Sequence, residues 1–269
     1  MPKEYAKLGN GEFGECYHAV LARLLNKEFF LEFIDFNDAK VFCETVADCP
    51  EVPNSVKKVH LGVTANWIWQ HFHEGIQQDA LKKINLKAKK EEWLFPNEFS
   101  QHLSSDKKLL IWLRTKTYKS HRNISLKAID QIESLCKERN TMPLFVGPKI
   151  AGMKDSSIGI WDFYKNDWIK KSDSIAKQLW ILNQLYISGG VLGSIGMMSG
   201  AMDGLAFYCG RKVLFIARKE DVTPRMLRVS SSVPQLNWIE CYYNQSFEGL
   251  GESSLGEIDR KIWGEQVGI

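Results

Sequence analysis

Apolar side chains recur at helical spacing over residues 13–26, where Phe13, Tyr17, Val20, Leu21, Leu24 and Leu25 share one face. They then run together over 28–34 and stop at Asp35. The pattern predicts a glycine-containing loop, a helix and a strand in succession. A helix near 38–47, a short strand near 56–63 and a helical stretch over 64–88 follow, and the regularity resets at Ser104-Ser105-Asp106. Beyond that point the chain reads as strand 108–113, helix 125–139, strand 143–147, strand 157–161, helix 173–187, strand 190–195, helix 200–208 and strand 212–217. Strands separated by helices of this length pair in parallel, because a parallel crossover needs a dozen or more residues. The expected fold class is α/β with parallel sheets, divided into an N-terminal half (1–104), a C-terminal half (105–250) and a last segment (251–269) with a helix around Ile258, Ile262 and Trp263.

Composition narrows the function classes. With 44% apolar and 25% charged residues in 269, the chain is an ordinary globular one. Its 35 Lys and Arg against 32 Asp and Glu leave +3, too balanced to point to nucleic acid or a membrane surface through bulk charge. Any basic site must therefore be local. No run of 18 apolar residues occurs, and the opening Met1-Pro2-Lys3-Glu4-Tyr5 lacks the apolar stretch of a signal peptide, so a cytoplasmic protein without a membrane segment is expected. Six cysteines lie scattered through apolar segments with no Cys-x-x-Cys pair, which favours reduced core thiols over a zinc site or a Cys43–Cys49 disulfide. Nine tryptophans and eight tyrosines exceed what such a core needs, so some are expected to line a ligand cleft.

Four segments carry candidate chemistry. Gly9-Asn10-Gly11-Glu12-Phe13-Gly14 spells G-x-G-x-x-G, enters a helix and is followed by Asp35 at a strand end, the spacing of a dinucleotide fingerprint. Glu12 and Glu15 oppose that reading, because carboxylates beside a pyrophosphate cancel the positive potential of the helix start. A carboxylate held there can instead take a proton from a hydroxyl, although both are also first-turn acids that favour the helix dipole. Second, strand 108–113 runs directly into Arg114, followed by Lys116, Lys119 and Arg122. This dense cationic loop stands at the carboxyl end of a parallel strand, where open α/β sheets bind ligands, and Arg114 is placed to clamp a diphosphate. Third, Ser199-Gly200-Ala201-Met202-Asp203 starts a helix with small residues that leave backbone N–H groups for phosphate oxygens. Gly147 ends another strand nearby in the alternation, and Trp67 within Asn66-Trp67-Ile68-Trp69-Gln70-His71 is a candidate cleft wall. His71 and His73 lack the third ligand of a metal site.

Three pieces then fall in a recognisable order: GNGEFGECYHAVLARLL at 9–25, LLIWLRTKTYKSHRNISLKAIDQIESLC at 109–136 and SGGVLGSIGMMSGAMDGLAFYCGRKVLFIA at 188–217. Together they resemble the GT-B glycosyltransferases, particularly the O-fucosyltransferase and ADP-heptosyltransferase-like groups. The resemblance implies two Rossmann-like domains with parallel sheets facing a central cleft, the first on the acceptor side and the second binding a nucleotide sugar. It implies a final helix packed back on the first domain. Glu12 takes the place of the acidic base, with Glu15 as the second candidate, and Gly11, Phe13 and Trp67 fall on the acceptor side. Arg114, Lys116, Gly147, Ser199, Gly200, Ala201, Met202 and Asp203 fall on the donor side. The chain departs from those families at Trp112-Leu113, where a His often precedes the arginine, and at Asp203, where a His or Thr is common. The implied activity is inverting, metal-independent transfer from a nucleoside diphosphate sugar, GDP-fucose-like as the first choice, to a glycan, protein or small-molecule hydroxyl, with no cofactor. The alternatives are an NAD-dependent oxidoreductase using residues 9–14 and Asp35, a nucleotide-sugar hydrolase, and a non-catalytic nucleotide-sugar-binding protein.

Overall fold

The computed structural model describes residues 3–9, 13–104, 106–115, 122–161, 163–197, 200–218, 221–240 and 249–264. The N-terminal half runs β1 (Glu4–Leu8), α1 (Phe13–Leu25), β2 (Phe29–Phe33), α2 (Asn37–Ala47), β3 (Lys57–Lys58), α3 (Thr64–His71), α4 (Glu74–Lys90) and α5 (Asn97–Ser100). The C-terminal half runs β4 (Lys108–Trp112), α6 (Leu126–Glu138), β5 (Met142–Gly147), β6 (Gly159–Trp161), α7 (Asp167–Lys170) and α8 (Ser174–Ser188). It continues with β7 (Val191–Met197), α9 (Gly200–Cys209), β8 (Val213–Ala217), α10 (Pro224–Ser232), β9 (Leu236–Glu240) and α11 (Glu252–Trp263).

The fold is α/β with parallel sheets. The first sheet has the order β2-β1-β3 and the second β6-β5-β4-β7-β8-β9, and every recorded pairing is parallel. Period-2 alternation along β4 sends Leu110 and Trp112 into one apolar cluster and Leu109 and Ile111 into another, so the larger sheet is buried on both faces. The smaller sheet buries Ala6, Leu8, Phe29 and Leu31 on one face, while its other face carries the Lys7–Glu32 ion pair (2.9 Å) and Arg23 over the Phe30 ring.

One buried cluster runs from Ala6 through α1, α4, α8 and α9 to Leu236, joining the two halves. Helices α1, α3 and α4 pack on α9 and α10. At the centre Tyr17, Phe42 and Tyr208 form a ring cluster, and the Tyr208 hydroxyl donates to the Tyr17 carbonyl (2.6 Å). This contact fixes α1 against α9, which positions the residues discussed below.

Several boundaries differ from the sequence expectation. The strand expected at 56–63 shrinks to Lys57–Lys58, and the helical stretch at 64–88 breaks at Phe72 and His73, both extended. The break lets α3 face α1 and α10 while α4 faces α2 and α9. Helix α11 lies on α6 and β9, with Ile258, Ile262 and Trp263 in the cluster of Leu109 and Ile111, and the Trp263 indole N–H donates to the Thr141 hydroxyl. It therefore covers the far face of the larger sheet instead of returning to the N-terminal half. No helix among the described residues is long and apolar enough to cross a membrane.

Lys108 opens β4 with a fully buried side chain, and its ammonium donates to the carbonyls of Ser104, Asp106 and Gly189 (2.7–2.9 Å) and to the Ser104 hydroxyl (3.0 Å). Burial lowers its pKa, with the Asp106 charge opposing. The lysine ties the segment before β4 to the end of α8. Lys108→Met keeps most of the stem but orphans these acceptors, and a stability loss of about 2–3 kcal/mol in urea unfolding is expected.

Candidate functional site

Two helix starts meet where the carboxyl ends of the two sheets approach. A Cβ on Gly14, in the first turn of α1, would fall 2.8 Å from the Gly200 Cα; one on Gly200, first in α9, would fall 2.6 Å from the Gly14 nitrogen. Only glycine permits this backbone contact. Helix α1 follows β1 of the smaller sheet and α9 follows β7 of the larger one. The contact therefore brings two helix starts, each with the partial positive charge of its first N–H groups, to one place. Strand β7 extends through Met197, so just two residues separate strand from helix.

A polar network lies directly behind. His18, one turn after Gly14, places Nε2 at 3.1 Å from Oδ2 of Asp203, and both residues are 8% exposed. The imidazole packs edge-on against Phe207, and its Nδ1 has no hydrogen-bond partner. Burial raises the Asp203 carboxyl above its ordinary pKa, against the hydrogen bond and charge of His18. Glu15 receives two hydrogen bonds from Arg225 on α10, at 3.1 and 3.0 Å. Burial alone would raise the Glu15 carboxyl, but the hydrogen bonds and charge of Arg225 outweigh it and hold the group below its ordinary value. Acids and bases alternate in Arg225, Glu15, His18 and Asp203, fastening α1 to α9 and α10.

The second cluster stands beyond β4. Arg114 donates from Nη1 to the Asn123 side-chain oxygen (3.0 Å), and burial together with the neighbouring Arg122 charge lowers its pKa. The Arg122 Nε is buried with no hydrogen-bond partner. Two guanidinium groups in mutual repulsion, one with an unused donor, favour an anion between or beside them. Gly147, at the end of β5, has φ +122°, and a Cβ there would fall 2.8 Å from the Leu113 carbonyl oxygen. The tight fit brings the carboxyl ends of β4 and β5 together beside Arg114.

The remaining expected residues separate. Trp67 is 9% exposed and packs on Phe29 and His71, so it belongs to the core and not to a cleft wall; helical spacing turns Trp69 outward instead. Met202 is fully buried with its sulfur close to Gly196, and Ala201 is half-buried. Asp203 is engaged by His18. Asp35 follows β2 with φ 52° and an exposed side chain. Gly11, Glu12, Lys116 and Ser199 lie outside the described residues, and Phe13 is described in its backbone alone. Sequence reasoning missed His18 and Arg225. His18 had a usable signal, its four-residue spacing from Gly14, which puts both on one helix face. Arg225 had none.

Among the described residues no three His, Cys, Asp or Glu side chains form a group that could hold a metal ion. No protein-family model, curated protein or solved structure matches the chain.

Proposed function

We propose that the protein is an inverting, metal-independent glycosyltransferase with a GT-B-like pairing of Rossmann-like units, residues 1–104 on the acceptor side and 105–250 on the donor side. The observation that carries the reading is the Arg114–Arg122 pair at the carboxyl end of β4, where two adjacent guanidinium charges and the unpartnered Arg122 Nε favour an anionic ligand. The donor is a nucleoside diphosphate sugar, GDP-fucose-like as the first choice, and the acceptor is a hydroxyl of a glycan, protein or small molecule. Glu12 takes the acceptor proton as the oxygen bonds to the anomeric carbon. The bond from that carbon to the diphosphate oxygen breaks on the opposite side. Arg114 and the amides at the start of α9 then hold the charge gained by the diphosphate. Both Glu15 oxygens are occupied by Arg225, which favours Glu12 over Glu15 as the base.

The test is a thermal-shift panel of GDP, UDP, ADP, dTDP, CMP and NAD on wild type and Arg114→Ala. One nucleoside diphosphate at about 100 times its dissociation constant is expected to stabilise wild type by about 2.7 kcal/mol, and the variant much less. Stabilisation by NAD alone, or an equal response of the variant, overturns the reading. With the donor class known, sugar released to water without an acceptor separates a hydrolase from a transferase, and no turnover marks a binding protein.

A further inference from the structure

The connection between β4 and α6 is anchored at both ends. Leu113 is buried and its N–H donates to the Val146 carbonyl (2.9 Å). Ile124 is buried in the cluster of Leu109 and Ile111, and Ser125 caps α6 by accepting from the Ala128 N–H (3.1 Å). The residues just inside these anchors, Arg114 and Asn123, are bonded to each other, Nη1 to Oδ1 at 3.0 Å. A guanidinium only donates, so the amide must present its oxygen to Arg114 and turn its Nδ2 donors elsewhere. The bond holds the plane of the guanidinium but brings no negative charge to it. The neighbouring sequence supplies none either: residues 107–129 contain seven lysines and arginines and no acid. Arg122, next to Asn123 in the chain, sets a like charge near Arg114.

Relying on the donor reading for the identity of the anion, we infer that Asn123 is a positioning residue whose neutral amide aims the Arg114 guanidinium and leaves its charge undiminished for a diphosphate. An aspartate would hold the arginine in the same place by a stronger bond, because both partners would then be charged. It would also offset one guanidinium charge, relieve the repulsion between Arg114 and Arg122, and set a carboxylate against the phosphate oxygens. Shape and charge therefore make opposite demands at position 123. Aspartate favours the free protein, and asparagine favours the complex with an anion. A residue that merely closed the β4–α6 connection would be served as well or better by aspartate. Asparagine there gives up stability in favour of binding.

The experiment compares wild type, Asn123→Asp and Asn123→Ala by thermal unfolding at low and high salt and by calorimetric titration with inorganic pyrophosphate, followed by the nucleoside diphosphate panel. Asn123→Asp is expected to melt above wild type at low salt, with the gain shrinking as salt screens the charges. Its pyrophosphate affinity is expected to fall by about 10–100-fold, the worth of a hydrogen bond to a charged group. Asn123→Ala is expected to melt below wild type and to weaken binding less, because the charge stays and only its aim is lost. A purely structural residue would move binding and stability in the same direction. If Asn123→Asp binds pyrophosphate as wild type does, or melts below it, the proposal is overturned even where a nucleoside diphosphate stabilises wild type. Pyrophosphate binding that is lost in Asn123→Asp while no nucleoside diphosphate stabilises wild type upholds the role of Asn123 and overturns the donor reading alone. Wild type that does not bind pyrophosphate at all overturns the proposal outright.

Discussion

Replacing His18 with alanine is expected to remove about 3 kcal/mol of stability at neutral pH, the cost of leaving the buried Asp203 carboxyl without its hydrogen-bond partner. Asp203 would keep its burial and lose its 3.1 Å hydrogen bond, while Phe207 would lose the ring packed on its edge. The loss should depend on pH in a defined direction. Burial already raises the Asp203 carboxyl above its ordinary value with His18 present; without the opposing imidazole it rises further. A group whose folded pKa exceeds its unfolded pKa contributes most below the unfolded value, and that contribution is lost as pH rises through the folded value. The deficit of His18→Ala relative to wild type should therefore shrink as pH falls from about 7 toward about 4 and Asp203 becomes neutral. Glu15 behaves in the opposite sense, its lowered pKa giving stability that is lost on acidification, but it is common to both proteins and largely cancels in their difference. Urea unfolding across that range, with Asp203→Asn alone and combined with His18→Ala, completes the cycle. A deficit independent of pH, or no recovery in the double variant, would show that the imidazole acts through packing alone.

The parts of this molecule that repeat locally were legible. Strands β4, β5, β7 and β8 are apolar runs between amphipathic helices, and each was found close to its position. Strand β9, Leu236–Glu240, escaped because its sequence LNWIE is short and mixed, and the polar helix α10 before it carries few apolar positions. Strand β3 consists of two exposed lysines, which carry no hydrophobic signal at all. At the site, Gly14, Gly147 and Gly200 stood out by type, yet their reasons are tertiary: Gly147 fits under Leu113, and Gly14 and Gly200 fit against each other from opposite halves. Arg114 was legible because a cation directly after an apolar strand is an outlier in its own neighbourhood. The Glu15–Arg225 and His18–Asp203 pairs were not, since nothing local tells an acid at a helix start that its partner lies on a distant helix. Trp67 shows the same limit from the other side. Aromatic enrichment pointed it at a cleft, whereas the helical period of α3 turns it onto Phe29.

Under the glycosyltransferase reading, Glu12→Gln should produce the largest change in activity: transfer falls by about 10²–10⁴-fold, the usual worth of a positioned general base. The amide keeps the size and hydrogen-bonding reach of the carboxylate but cannot take the proton. Donor binding should therefore persist, with the same nucleoside diphosphate thermal shift as wild type, in contrast to Arg114→Ala, which removes the shift itself. The wild-type rate should also fall at acid pH as the base becomes protonated, and the residual rate of Glu12→Gln should lack that limb. Glu15 supplies the discriminating comparison because Arg225 holds it ionised with both oxygens engaged. Glu15→Gln should loosen the attachment of α1 to α10 and lower stability while leaving the acid limb in place. If Glu12→Gln transfers sugar at the wild-type rate, and Glu15→Gln instead erases the acid limb, the proton goes to Glu15. The Arg225 pair would then have to open in the reactive complex, because a carboxylate held by two guanidinium hydrogen bonds is a poor proton acceptor until at least one of them is given up.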